Sequence, residues 1–546
     1  MKTSLQHRLL SPDARLSLLL LLTGSVAGIL LSPKWLMPVA AWIGPACLLY
    51  FYRYATLRRK GLWFMVASFL AFIPTMHGVM PFPWFVLVIL AIVESLKTLA
   101  LYSLDRYVTR HRPHFLYTLF FPALNTVKEY VETQGDVGAW ATIANSQYPF
   151  TWLIQLASVT GIWGITFLVY WFASVAVWAV RAWAEQRDFR GGVSLYAGIL
   201  LAVLTFGAVR YYTDARTPRQ TLTVGGVTVP NLPFLEALYQ DHSGKSLTID
   251  PKASQSSEEV QRAASAFAPF IQHPNPNRFR RGFSAMQTLQ DSLFALSQKA
   301  VNRGARLVMW SEGNAMILKA QEPALVQRGQ VFAARNRVYL LMAVATLLPG
   351  PITAERMFME NKTLLINPQG HILNTFHKNH PVPMAERSQP GDGRIPAIQT
   401  PYGTLAPSIC YDADFIGTMR QLGQQKIGLL LLPSGDWYSI SPYHSYMAVL
   451  RGIENGTSIA RQVSGGLSLF TDFRGRVLAS RNYFDEGEKL IVTDIPVQHV
   501  PTLYSRLGDW LAYVSIGLLA LFAGMRVSTG LRAKSIRKPQ LVDGST

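Results

Sequence analysis

Three side chains of this sequence have the types and settings needed for thiol chemistry: Glu312, Lys378 and Cys410. Cys410 lies in Ser408-Ile409-Cys410-Tyr411-Asp412, directly after Leu405-Ala406-Pro407, which predicts a buried strand delivering a thiol to a turn. Glu312 follows Leu307-Val308-Met309-Trp310, where a second buried strand leaves the core, and Lys378 ends a third over Leu373–Phe376. A carboxylate can take the thiol proton, and an ammonium can favour thiolate and stabilise an oxyanion. With the thiol, these are the parts of acyl transfer through a covalent thioester. Each also has a plainer reading. Free cysteines are among the most buried residues and are mostly inert, and Glu312 could flank the N-cap of a helix over 313–320. Glu386 follows the rigid Pro381-Val382-Pro383 loop; it either orients Lys378 or a reacting amine, or is a solvated loop charge. Asp412 and Asp414 are read as caps of a helix beginning near 414, whose N-terminus would lower the pKa of Cys410.

His377 and His380 flank the lysine, yet no carboxylate or second cysteine stands at ligand spacing, so no metal is expected. There is no GxGxxG unit and no Walker pattern, and no cofactor is expected. Two cysteines exclude a disulfide framework, and Cys47 is expected only to pack.

The elements that must position these residues alternate along 213–507. Strands are predicted at 221–229, 306–310, 339–346, 362–367, 371–378, 405–410, 428–433, 458–461, 467–472 and 476–480. Helices are predicted at 284–303, 322–336, 414–423 and 442–457. This is an α/β domain with its sheets covered by helices. Residues 236–282, irregular in Ser, Gln, Asn and Pro, read as a loop-rich insertion with no visible chemistry.

Outside that segment the chain is apolar. The 546 residues carry 49% hydrophobic and only 15% charged residues, with a formal charge of +19. A nucleic-acid protein would gather its Lys and Arg on one soluble face; here they sit at the ends of apolar runs, which excludes that class and points to a bilayer. Spans are predicted at 15–32, 35–55, 61–80, 83–104, 114–132, 153–180, 194–212 and 508–526, with kinks at Pro45, Pro74 and Pro122. Basic loops follow the second, fourth and sixth spans, while 80–82 and 133–152 contain no Lys or Arg. The positive-inside rule then places both termini in the cytoplasm and 213–507 on the outer face. Three parts follow: a membrane domain 1–212 of seven helices, an outward catalytic domain 213–507, and a last span with a basic tail, 508–546.

Glu312, Lys378 and Cys410 in this order, with Trp310-Ser311, Asn379-His380-Pro381-Val382-Pro383, Pro401-Tyr402-Gly403 and Tyr411-Asp412, resemble the carbon–nitrogen hydrolase (nitrilase) superfamily. Further stretches resemble the membrane-embedded apolipoprotein N-acyltransferase family within it. They are Ala144–Tyr148, Gln155–Gly161, Gly164–Val169, Asp436-Trp437-Tyr438, Arg474-Gly475-Arg476 and Pro501–Trp510. The resemblance implies a multi-span helical membrane domain joined to an α-β-β-α nitrilase-like sandwich in a bacterial inner membrane, catalytic domain periplasmic. It implies that Cys410 takes an acyl chain from a phospholipid donor and passes it to the α-amine of a diacylated lipoprotein acceptor, the last step of lipoprotein maturation. Glu312 would be base and then acid, Lys378 the oxyanion stabiliser, and Glu386, Tyr411, Asp412 and Trp437 supporting or substrate-binding residues. Partners are the bilayer and the two lipid substrates, with no nucleic acid, and the chain is expected to be a monomer. The competing reading is a membrane-tethered amidase with water as acceptor. The chain departs from the family's usual pattern at Asp412, where Glu is common, at Met384-Ala385 in the lysine loop, and in the 32-residue Lys378–Cys410 spacing. That spacing lacks the apolar lid segment usual in the family; the insertion 236–282, with Phe234, Phe267, Phe270 and Phe279, is the candidate substitute.

Overall fold

The computed structural model describes residues 6, 12–80, 82–213, 220–253, 257–353 and 355–536. The basic tail beyond 536 lies outside the described residues.

Helices occupy each stretch read as a span: α1 (Ala14–Leu30), α2 (Ala40–Tyr54), α3 (Lys60–Met76), α4 (Trp84–Thr109), α5 (Phe120–Glu132), α6 (Ile162–Ala184) and α7 (Arg190–Tyr212). Among the described residues α4, α6 and α7 are long and apolar enough to cross a membrane; α1 and α3 are shorter apolar helices, as is Trp510–Arg526 near the C-terminus. The long apolar helices differ in what surrounds them. α6 is mostly buried, whereas α4 and α7 turn most of their length outward, as helices facing lipid do.

Two span predictions need correction. The helix read over 153–180 is broken into short turns before α6, because Gly161 adopts φ 65° with the Tyr504 ring packed against it. A Cβ there would lie 2.5 Å from that ring, so the break needs glycine. Pro122 falls in the first turn of α5, where its missing N–H costs no helical bond, and so gives no reason for a kink.

The catalytic segment runs β1 (Thr221–Thr228), α8 (Leu232–Ser243), α9 (Glu258–Gln272), α10 (Arg280–Asn302), β2 (Leu307–Trp310), β3 (Ala315–Leu318) and α11 (Glu322–Asn336). It continues with β4 (Tyr339–Leu347), β5 (Met359–Ile366), β6 (Ile372–His377), β7 (Ile398–Thr400), β8 (Gly403–Pro407), α12 (Ile416–Gln424) and β9 (Leu429–Gly435). Last come α13 (Tyr443–Asn455), β10 (Ser458–Ser464), β11 (Leu467–Thr471), β12 (Val477–Asn482), β13 (Lys489–Pro496) and the terminal helix α14 (Trp510–Ile536). One sheet has the order β13-β1-β2-β4-β5-β6, with β3 also on β4; the other runs β12-β11-β10-β9-β8-β7.

The sheets pack face to face. Leu222, Leu307, Met309 and Leu341 meet Leu405, Leu429, Leu431 and Phe470 in one core between them. The alternate residues Val308, Trp310, Leu340 and Met342 point the other way, against Leu293 and Phe294 of α10 and Leu325 and Ala333 of α11. Ala406, Leu430 and Leu432 meet Met419 and Leu422 of α12 and Ala448 of α13. With both faces of each sheet covered, period-two strands read as continuous apolar runs. The result is the expected α-β-β-α order.

The segment 236–282 is not loop-rich. It contributes to α8 and holds α9, whose start is capped by Ser257, which accepts the Val260 N–H at 3.4 Å, and carries Glu258 and Glu259 in its first turn. Ala263, Ala266, Phe270 and Ile271 form its buried stripe, so the polar residues that suggested a loop are its solvent face. The helix proposed over 313–320 is instead the strand β3.

Membrane and catalytic parts share a core. Trp163, Ile165 and Leu168 of α6 pack with Ile416, Val449, Leu450, Ile453 and Tyr504. The Ile162 N–H at the start of α6 donates to Glu454 Oε1 at 2.9 Å, and Trp163 Nε1 to Asp509 Oδ1 at 2.7 Å.

Candidate active site

Glu312, Lys378 and Cys410 each lie just beyond the C-terminal end of a strand, β2, β6 and β8. Strand ends are where a backbone fixed by a sheet first frees its side chains to face a cleft. Lys378 is 1% exposed. Its Nζ donates to Glu312 Oε1 at 2.7 Å and to Glu386 Oε2 at 2.6 Å. Asn361 of β5 reinforces the bridge, giving its amide to Glu312 Oε1 at 2.7 Å and to Glu386 Oε1 at 2.8 Å. The Gly435 N–H at the end of β9 holds Glu312 Oε2 at 2.7 Å, while the Gly435 carbonyl lies 3.5 Å from Cys410 Sγ. A single glycine thus touches both Glu312 and the thiol. Glu386 is pinned further by Ser388 Oγ at 2.7 Å and the Val382 N–H at 3.2 Å, which makes it a buried partner of Lys378 and not a solvated loop charge.

Cys410 adopts φ 46°, the left-handed region that non-glycine residues avoid. Such strain costs on the order of 1–3 kcal/mol and persists only where surroundings enforce it. Asp412 does so: Oδ2 accepts the Ile409 N–H at 3.1 Å and Ser408 Oγ at 3.2 Å, and Oδ1 accepts the His380 N–H at 2.8 Å. It therefore ties the cysteine turn to the lysine loop and does not cap α12, whose N-cap is Phe415 without a side-chain bond. Burial pushes the Asp412 carboxyl up to about 7.

Burial also pushes the Cys410 thiol well above its ordinary range, and the Glu312 charge adds to this; Lys378 opposes them and is outweighed. The expected lowering by a following helix is overturned, because Cys410 opens a tight 3-10 turn and α12 starts only at Ile416. Burial works against the Lys378 ammonium, but Glu312 and Glu386 outweigh it and raise its pKa. The thiol stands beside Glu312, both of whose carboxyl oxygens are hydrogen-bonded.

Behind the thiol lies a second cluster that the sequence reading missed. His444 Nδ1 is 2.7 Å from Asp436 Oδ1, and its Nε2 is 3.0 Å from Asp414 Oδ1. Arg461 reaches both Asp436 oxygens, at 3.0 and 2.9 Å. Burial disfavours the imidazolium, yet Asp414 and Asp436 outweigh it and raise His444 to about 9. Among the described residues, Cys410, Asp436 and His444 bring ligand-type atoms within 4.8 Å of one another. Arg461 already sits on both oxygens of Asp436, so a metal would have to displace a buried guanidinium, and no metal chemistry is derived from this trio. The histidines beside the lysine do not join it: His380 stacks on Phe415 and meets Thr418.

The cleft is a cavity of about 450 Å³. Its polar wall holds Glu312, Asn361, Lys378, Glu386, Cys410 and Asp436. Its apolar wall is supplied by Leu235, Ile249, Pro251, Val260 and Ala263, all from the α8–α9 region. The phenylalanines singled out there do something else: Phe234, Phe270 and Phe279 are sealed in that region's own core, with Phe267 packed against it. Trp437 lines the cavity and donates to the Gly78 carbonyl at 2.9 Å, in the turn before the lipid-facing helix α4. Tyr411 is not part of the lining; its hydroxyl donates to the Asp136 carbonyl at 2.7 Å, tying the cysteine turn to the membrane half.

The carbon–nitrogen hydrolase family model matches residues 256–503, most of the four-layer sandwich, with Glu312, Lys378 and Cys410 inside the match. The apolipoprotein N-acyltransferase N-terminal domain model matches residues 24–175. Apolipoprotein N-acyltransferase of Geobacter metallireducens is 24% identical over 73% of this chain and 71% of its own length. The protein of that name from Chlorobaculum tepidum is 24% identical over 75% of this chain and 77% of its own. An amidase from Nesterenkonia sp. superposes with a TM-score of 0.35 at 17% identity, covering 53% of this chain and 95% of its own. With a membrane model and a catalytic model in the same order, the chain belongs to the apolipoprotein N-acyltransferase family.

Proposed function

We propose that this protein transfers a fatty acyl chain from a phospholipid, through a thioester on Cys410, to the α-amine of the diacylglyceryl-cysteine of a lipoprotein. The carrying observation is the cleft itself: a charged wall bearing Glu312, Lys378 and Cys410 faces an apolar wall, with Trp437 bonded to the turn before α4. An amidase with water as acceptor needs the first wall only. The second suits an acyl chain, which gains about 0.8 kcal/mol per buried CH₂.

In the proposed cycle Glu312 takes the Sγ proton as sulfur attacks the ester carbonyl, and Lys378 faces the oxyanion. Collapse breaks the ester C–O bond, and Glu312 returns the proton to the departing lysophospholipid oxygen. The acceptor amine then attacks the thioester, and its proton passes by way of Glu312 to the leaving sulfur, regenerating the thiol and leaving an amide. Asn361, Glu386 and the Gly435 peptide hold base and lysine in place. The basic loops argue for the catalytic domain on the outer face of the inner membrane, with parts at 1–212, 213–507 and 508–546.

Intact-mass measurement after incubation with a defined phospholipid tests the first half. A hydroxylamine-sensitive acyl adduct on wild type, absent in Cys410→Ala, is expected; no adduct on wild type rejects the reading. Addition of a diacylated lipopeptide should yield N-acylated peptide, and release of free fatty acid alone would favour the amidase.

A further inference from the structure

The face of the membrane half away from the cleft carries a second built cavity, of about 500 Å³. α4 begins a few residues after Gly78, which Trp437 of the cleft contacts, and ends at this cavity's Thr109, so its 26 residues set the two sites about 39 Å apart. Six arginines from three separate helix ends converge on the cavity: Arg53 in the last turn of α2, Arg106 in the last turn of α4 with Arg110 and Arg112 just beyond it, and Arg181 in the last turn of α6 with Arg187 just beyond it. No lysine lines it, and the one carboxylate in its wall is Glu185, which holds Arg181 at 2.7 Å and Arg187 at 2.8 Å. Arg53 is a buried part of the wall, its charge met by both oxygens of Asp105 at 2.7 Å each.

Membrane topology alone does not ask for this arrangement. The positive-inside rule is satisfied by any Lys or Arg in the loop, and Arg58 and Arg59 satisfy it without lining the cavity. Lys60, close in sequence, turns away to the Ala55 carbonyl at 3.1 Å. What distinguishes the cavity is guanidinium alone, the side chain that grips phosphoryl oxygens with a planar fork. The loop that presents Arg110 and Arg112 is also fixed in shape. His111 holds φ 60°, and the Pro113 carbonyl accepts Trp178 Nε1 at 2.7 Å. Beside it the last turns of α4 expose Leu104 and Tyr107, an apolar flank on which acyl chains can lie.

We propose that this cavity binds a phosphoryl anion, and that in the bilayer the group is the headgroup of an acidic phospholipid. Basic pockets between spans on this face take such headgroups, each Lys or Arg adding to the attraction.

The test uses the full chain in detergent, titrated by native mass spectrometry with dioleoyl phosphatidylglycerol and dioleoyl phosphatidylcholine. Inorganic phosphate and glycerol 3-phosphate are run as soluble competitors. The acidic lipid is expected to be retained preferentially by wild type. R110Q/R112Q is expected to weaken that retention about thirtyfold, the effect of two basic residues at an anionic lipid surface. Displacement by millimolar phosphate would identify a free phosphate ligand, and resistance to it a lipid headgroup; both uphold the site. Equal retention of the two lipids by wild type, without phosphate competition, would overturn it, as would unchanged retention in the variant. Thioester formation on Cys410 should be unaltered in R110Q/R112Q, which shows that the variant is folded.

Discussion

Two buried charge clusters flank Cys410, and they are balanced differently. On the cleft side Glu312 and Glu386 share the single ammonium of Lys378. On the far side Asp414 and Asp436 meet His444 and Arg461, two anions against two cations, with every side chain at most 4% exposed. The first set places two carboxyl groups against one ammonium and lines the cavity with all three; the second matches two against two, and of its members only Asp436 reaches the cavity wall. The same residue types thus make a reactive wall or a clamp. Charge balance and access decide which, because an uncompensated charge costs too much to be buried without a use.

The largest predicted effect breaks the reactive wall at its nucleophile. Cys410→Ser should fold and reach the membrane yet lose turnover, because an alkoxide forms far less readily than a thiolate; substantial residual N-acylation would contradict the assignment. Next, Lys378→Met should slow acyl-enzyme formation at least about a hundredfold, the scale of a lost oxyanion stabiliser. An unchanged burst rate would make the lysine purely structural.

The clamp should respond in stability. His444 is raised from 6.5 to about 9 by Asp414 and Asp436 against the cost of burial. A raised pKa gives stabilisation that is complete below about 6.5 and lost as pH climbs through about 9, on the order of 3 kcal/mol. Melting midpoints should therefore fall across that window in wild type and fall less in His444→Gln. Equal slopes would show that His444 is not the group responsible. Smallest of all, Leu235→Ala in the apolar wall should lower kcat/KM for long-chain phospholipids about tenfold and leave a short-chain thioester donor unaffected. Equal losses on both donors would mean the wall does not hold the chain.

Much of the architecture was legible in the sequence. Apolar runs marked the helical spans, and strands such as Leu307–Trp310 and Leu429–Gly435 were visible because burial on both faces makes them continuously apolar. The strand-end positions of Glu312, Lys378 and Cys410 were visible for the same reason. α9 was missed because half of its buried stripe is alanine amid polar residues, a weak hydrophobic signal. β3, β7 and β13 were missed as short or mixed segments whose pairing comes from neighbours distant in the chain. Asn361 sat in an ordinary strand, and nothing local distinguished it from a surface amide. His444 could have been flagged by its place on a helix among apolar residues, but its two carboxylate partners lie 8 and 30 positions away.

By itself the sequence determined most of the helices and strands and pointed to a thiol, a carboxylate and an ammonium, each at a strand end. Those follow from hydrophobic period and residue type, which are local. The tertiary structure alone decided that burial and Glu312 push the thiol pKa up, that Glu386 and Asn361 lock the lysine, and that the 236–282 region walls the cleft. It also decided that three arginine-bearing helix ends, distant in sequence, meet in one cavity. Each of these depends on distance and burial between residues far apart in the chain, and electrostatic energy is set by those two quantities and not by order along the backbone.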